Sequence, residues 1–213
     1  METPQNYVVI PKENEMLKNT SVKSLDERSV VRTMQKHLND IIREDPFAQV
    51  GELVITDENR PVLNAIKDYI RVLPRKGLLL YGPVGTGKTM LIKCVSRCIL
   101  SLYGRNVSTF TTPFIRENYY KDEDMDTYSI RYKLHNFRFI AINDLGMELN
   151  YSSGANIIQT ILFDRYEKGL ITFCSTNLSP IQVLNRYNDS HNRIADRFMP
   201  MFHQIEVKGG SFR

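Results

Sequence analysis

The chain contains no tryptophan and only three cysteines among its 213 residues. No apolar run approaches the ~18 residues that a membrane-spanning helix needs. The N-terminus, METPQNYVVIPKENE, lacks the basic stretch and following apolar segment of a secretory signal. Cys94, Cys98 and Cys174 are an odd set in core-like settings, which predicts buried reduced thiols and a cytoplasmic protein rather than a disulfide framework. With only four histidines, ligands are too few and too scattered for a zinc-type site. A large excess of one charge is also missing. The 28 basic residues exceed the 24 acidic ones by four, which permits nucleic-acid contact without demanding it. What is present, 42% hydrophobic and 24% charged residues, is the balance of a soluble globular chain able to build one sizeable core.

The most informative segment is Gly82-Pro83-Val84-Gly85-Thr86-Gly87-Lys88-Thr89, with Met90 following. It reads G-x-x-x-x-G-K-T. An apolar run, residues 77–81, leads in, and an apolar-periodic helix, residues 90–102, leads out. The glycines let the backbone curl so that successive N–H groups point at an anion. Lys88 can reach the β- and γ-phosphates, and the Thr89 hydroxyl can hold Mg2+. The helix N-terminus adds a partial positive charge. The predicted ligand is a nucleoside triphosphate with Mg2+.

Around this loop strands and helices alternate. Strands are predicted at 77–81, 106–110, 138–142, 170–175 and 203–207, with long helices at about 153–168 and 179–187. Ser153 is the predicted N-cap of the first of these helices and Gly169 its end. Ser179-Pro180 starts the second. This alternation predicts an α/β fold, a parallel five-stranded sheet in a three-layer αβα sandwich. Ahead of it, Ser24-Leu25-Asp26-Glu27 has a capping-box pattern and opens a helix with Val30, Met34, Leu38, Ile41 and Ile42 on one face, ended by Asp45-Pro46. A second helix is predicted from Thr56-Asp57 to Leu73. The predicted division is a short extended and helical segment, 1–50, and an ATPase core, 51–213. The first helix either docks a partner or packs on the core.

Hydrolysis needs a second acidic strand end. Phe139-Ile140-Ala141-Ile142-Asn143-Asp144 supplies one, with Asn143 where a metal-holding acid is usual and Asp144 where the base is usual. Asn143 brings no charge to Mg2+ and predicts weak turnover. In the other register Asp144 is the metal acid and the base comes from elsewhere, such as Glu148. The strand ending in Ser175-Thr176-Asn177 puts an amide where it can orient an attacking water.

The combination of GPVGTGKT, NDLGME, DRYEKGLITFCSTNLS, NRIADRF and a terminal GGSFR resembles the DnaC/IstB branch of the AAA+ ATPases, and more specifically the DnaC-type replicative helicase loaders, over roughly residues 57–213. The resemblance implies that Asn177 is sensor 1 and that Arg197 is an arginine finger acting on a neighbour's ATP, with Arg193 the second candidate. It also implies that Arg213 is the sensor 2 arginine. It implies self-association through the ATP site, and a replicative helicase or a transposase as partner. The chain departs from the family at Asn143, in its short N-terminal segment, and in having little or no C-terminal helical lid.

A nucleic-acid surface is predicted between the second and third strands, where Arg116, Tyr119, Tyr120 and Lys121, then Arg131, Tyr132 and Lys133, interleave cations with stacking rings. Single-stranded DNA is the expected ligand, although Asp122, Glu123, Asp124 and Asp126 lie between the clusters. The function expected from all this is ATP-driven helicase loading. Three rivals remain: an IstB-like transposition helper, a nucleotide-dependent switch or scaffold with little hydrolysis, and a small-molecule P-loop kinase.

Overall fold

The computed structural model describes residues 24–46, 52–121, 129–147, 152–187, 197, 198 and 200–208. Their order is α1 (Glu27–Glu44), α2 (Arg60–Ile70), β1 (Gly77–Tyr81), α3 (Lys88–Tyr103), β2 (Ser108–Thr111), α4 (Thr112–Asn118), α5 (Ile130–Asn136), β3 (Phe139–Leu145), α6 (Ser152–Glu167), β4 (Ile171–Thr176), α7 (Pro180–Tyr187) and β5 (Phe202–Glu206). The five strands form one parallel sheet in the order β2-β3-β4-β1-β5. All five predicted strands are present, displaced by at most a few residues.

Because side chains alternate across a strand, each strand feeds two cores. Leu78, Leu80, Phe139, Ala141 and Phe173 face α1, α2 and α3. Leu79, Ile140, Ile142 and Cys174 face α4, α5, α6 and α7. A parallel sheet covered on both faces needs near-continuous apolar strands, and LLL, FIAI and ITFC meet that need. The three cysteines are free and buried.

Helix α1 packs on α3 and shares its core, burying Val30, Met34, Leu38, Ile41 and Ile42. Its N-cap is Asp26, whose carboxylate accepts from the Ser29 N–H at 3.0 Å. Ser24, the cap expected from the sequence, instead donates weakly to the Leu25 carbonyl at 3.4 Å. The second helix also begins later than predicted. Thr56 and Asn59 exchange bonds (2.9 and 3.3 Å) in a turn that delays α2 to Arg60. The Ser179 cap is a reciprocal box with Gln182, at 2.8 and 3.3 Å. The expected Ser153 cap lies among residues whose side chains fall outside those described.

At the amino-terminal end of the sheet, Arg165 of α6 is completely buried. Its Nε donates to Thr172 Oγ1 at 2.8 Å. Its Nη atoms donate to the carbonyls of Leu134 (2.8 Å), Phe137 (2.9 Å), Arg138 (3.3 Å) and Ile171 (2.7 Å). These bonds join α5, β3, α6 and β4. Burial lowers the guanidinium pKa to about 9, which leaves it charged at neutral pH. Replacing Arg165 with Leu strips partners from four buried carbonyls and one hydroxyl. We expect a loss of about 3–5 kcal/mol, read as a lower urea midpoint at unchanged slope.

Candidate functional site

At the carboxyl ends of the strands, the P-loop after β1 leads directly into α3. Gly82, Gly85 and Gly87 have φ of 146°, 84° and 80°, a region that disfavours side chains. At Gly82 the constraint is also steric. A Cβ there would lie 2.3 Å from the Val207 carbonyl oxygen, because β5 pairs closely with the strand leading to the loop. Gly87 is the left-handed N-cap of α3.

Lys88 is folded back onto the loop. Its Nζ donates to the carbonyls of Gly82 (2.8 Å) and Pro83 (2.5 Å). Burial lowers its pKa, and the Asp144 carboxylate opposes that shift. A cavity of about 480 Å³ opens over the loop, and Val84, Gly85, Gly87, Lys88, Thr89 and Met90 contribute to its wall together with Asp144 and Asn177. Three strand ends thus converge on one space, the crevice where open α/β sheets hold ligands.

The end of β3 is irregular. Ile142 pairs with Cys174 and Leu145 with Thr176, so Asn143 and Asp144 oppose Ser175 alone. This is a β-bulge, which re-aims side chains. The Ser175 hydroxyl serves both bulge residues, donating to Asn143 Oδ1 at 2.9 Å and accepting from the Asp144 N–H at 3.3 Å. Asp144 takes up φ 61°, rare for a residue with a side chain. Its carbonyl accepts from Thr112 Oγ1 (2.7 Å) and the Met147 N–H (2.9 Å). Asp144 therefore lines the cavity, whereas Asn143 is buried beside Ser175 and is not among the cavity-lining residues.

The back wall comes from residues no motif marks. Ile41, Glu44, Asp45 and Pro46, at the end of α1, face the P-loop together with Lys93. A bidentate pair between Glu44 and Arg97 of α3, at 3.1 and 2.6 Å, holds that end in position. Lys93 follows Thr89 by one helical turn, a spacing that is legible in the sequence. The α1 wall had no such signal. Ser175 and Thr112, which hold the bulge, also carried none.

Arg197 is outside the cavity. Its Nη2 pairs with Glu167 at 3.2 Å, and its guanidinium lies 4.0 Å from the Phe163 ring centroid. Nη1 is buried and has no partner among the described residues. Arg193, Arg213 and Glu148 lie outside the described residues.

The aromatic-basic region is corrected in one respect. Tyr119 is buried, so it is not an open stacking platform. Its hydroxyl meets His135 Nε2 at 2.7 Å, and His135 Nδ1 meets Asp164 at 2.6 Å. Arg131 sits over the Tyr119 ring at 5.5 Å. Tyr132 stands edge-on to Phe137. Tyr120 and Lys121 are exposed, Arg116 and Lys133 half-buried. The acidic stretch between the two clusters is outside the described residues.

No protein-family model matches the chain. The replicative helicase loader DnaI of Bacillus subtilis is 24% identical over 212 residues, covering 90% of this chain. A crystal structure of the DnaC helicase loader superposes with a TM-score of 0.62 at 19% identity, over 72% of this chain and 92% of that one. The chain is thus similar to the DnaI loader in sequence and shares the fold of the DnaC loader. The replication initiator DnaA, in a structure bound to AMPPCP and single-stranded DNA, matches this fold with a TM-score of 0.57 at 17% identity, over 73% of this chain and 48% of that one. The chain spans 66% of the length of DnaI, just under two thirds.

Two substitutions test how this site is built. In Gly82→Ala the new methyl group meets the Val207 carbonyl, and strain of about 1–3 kcal/mol weakens binding of a fluorescent ATP analogue roughly tenfold or more, with circular dichroism unchanged. Ser175→Ala leaves two buried polar groups of the bulge without their shared partner and costs about 1–3 kcal/mol in urea unfolding.

Proposed function

We propose that this chain is an ATP-driven loader of a replicative helicase, working on single-stranded DNA and hydrolysing ATP slowly. The observation that carries this reading is the convergence of Lys88, Thr89, Asp144 and Asn177 on one cavity in a chain similar to DnaI. A partly buried lysine whose Nζ bonds, among the described residues, to loop carbonyls and a hydroxyl is suited to exchange them for phosphate oxygens. The Thr89 hydroxyl would hold Mg2+, which neutralises charge on the β- and γ-phosphates.

In this reading Asp144 accepts a proton from the attacking water, and Asn177 orients that water. Arg197 reaches the γ-phosphate of a neighbouring copy, where a guanidinium offsets developing charge. It must first leave Glu167 and Phe163, so hydrolysis depends on assembly. Asn143 favours a second reading, a nucleotide-dependent switch that grips ATP and seldom cleaves it. A neutral amide occupied by Ser175 contributes no charge to the metal.

Steady-state Mg-ATPase assays with and without single-stranded DNA separate the two. In the loader reading, Arg197→Ala lowers kcat about a hundredfold with nucleotide affinity nearly unchanged. Mixing it with Lys88→Ala restores part of the rate, because the Lys88→Ala copy lends its Arg197 to the intact P-loop of its neighbour. Asn143→Asp raises turnover and tightens Mg2+ dependence, and Asp144→Asn abolishes turnover. Full activity in Asp144→Asn rejects the base assignment. A wild-type rate indistinguishable from that of Lys88→Ala favours the switch. ATP-dependent retention of the host's replicative helicase on immobilised chain supports loading, whereas retention of a transposase favours a transposition helper.

A further inference from the structure

The outer face of α1 carries a row of cations that the core does not use. Arg28, Arg32 and Lys36 stand four residues apart, and all three are exposed. Their side chains make no hydrogen bond or ion pair among the described residues. The acids of α1 are committed elsewhere. Glu27 takes Lys67 of α2 at 2.6 Å, and Glu44 takes Arg97 of α3 at 2.6 Å. Asp40 acts on Arg97 and on His37. Just ahead of the helix, the Asp26 carboxylate caps Ser29. The acids thus serve the packing and capping of α1, and the row of cations faces solvent.

Local physics disfavours this row. Like charges four apart on a helix repel. Arg28 also sits in the first turn, where the macrodipole favours acids. Local rules broken twice, with no compensating partner inside the fold, point to a partner outside it. The row presents three charges along about 12 Å of helix. The exposed residues of α1 are all polar, and none carries a ring. A partner protein would find no aromatic or apolar anchor there, and unpaired bases would find no stacking platform. Phosphates need only the cations. One strand of a duplex advances about 3.4 Å per phosphate, so the row spans about three or four of them.

We propose that the outer face of α1 binds the phosphate backbone of a nucleic-acid duplex, whatever its sequence. The row is separate from the cavity over the P-loop, which α1 meets with Ile41 and Glu44 of its last turn. The site does not depend on the loader reading.

The test is fluorescence anisotropy of the full chain with a labelled DNA duplex of about twenty base pairs and arbitrary sequence. The triple variant Arg28→Gln, Arg32→Gln, Lys36→Gln removes the row and keeps good helix formers in place. Its Kd is expected to rise about tenfold near physiological salt. The slope of log affinity against log salt should shrink by about 2.7, at roughly 0.9 per phosphate contact. Its urea midpoint should stay level or rise, because repulsion within the row is gone. The double variant Arg28→Lys, Arg32→Lys keeps the charge, and its affinity should stay within about twofold of wild type. No measurable affinity of the wild-type chain at low salt overturns the proposal, as do wild-type affinity and slope in the triple variant. So does an equal loss in Arg75→Gln, Lys76→Gln, which removes two exposed cations ahead of β1. Competition by polyglutamate equal to that of unlabelled duplex overturns the nucleic-acid assignment. Tighter binding of a single strand of the same length, lost in the same triple variant, overturns the duplex assignment.

Discussion

The buried guanidinium of Arg165 is the constraint on which the rest of the sheet depends. Alone in an apolar layer it would be costly to bury. It is tolerated because its donors meet four carbonyls and a hydroxyl at the point where α5, α6, β3 and β4 come together. That junction fixes where β3 and β4 begin, and hence their relative register. At the far ends of the same strands the register leaves Asn143 and Asp144 facing Ser175 alone. The bulge that aims Asp144 at the P-loop is then held locally by Ser175 and Thr112.

Much of this fold is legible in the sequence because its signals are local. The P-loop, the apolar runs of the five strands, the Ser179 cap and the Gly169 stop each depend on neighbours a few residues away. The failures are equally physical. Ser24 and Asp26 are both good caps, and only the position of α1 on α3 decides between them. A helix with one apolar face does not say what covers that face, so α1 could be read as a docking element when it is a layer of the core. Tyr119 sits among cations in the sequence, but the fold turns its ring inward to His135 and Asp164.

The candidate site divides along the same line. Gly82 to Thr89, Asp144 and Asn177 are marked by motif and lie together. Their supports are not marked, because each acts across long sequence separations: Thr112 on Asp144, Ser175 on both bulge residues, Glu44 on Arg97. Asn143 illustrates the difference. From sequence it is an amide in place of an acid. In the fold it is also an amide whose oxygen is already spoken for.

Helix α1 has 18 residues and so forms a rod about 27 Å long. One end is a wall of the ATP cavity, and the other carries the Asp26 cap. Its seam with α3 is built of buried apolar side chains flanked by the His37–Ser101 and Glu44–Arg97 contacts. Whatever grips its first turn and thereby moves it alters the volume open to the nucleotide. By linkage, a nucleotide that presses on Pro46 must then alter the affinity for that grip by the same factor.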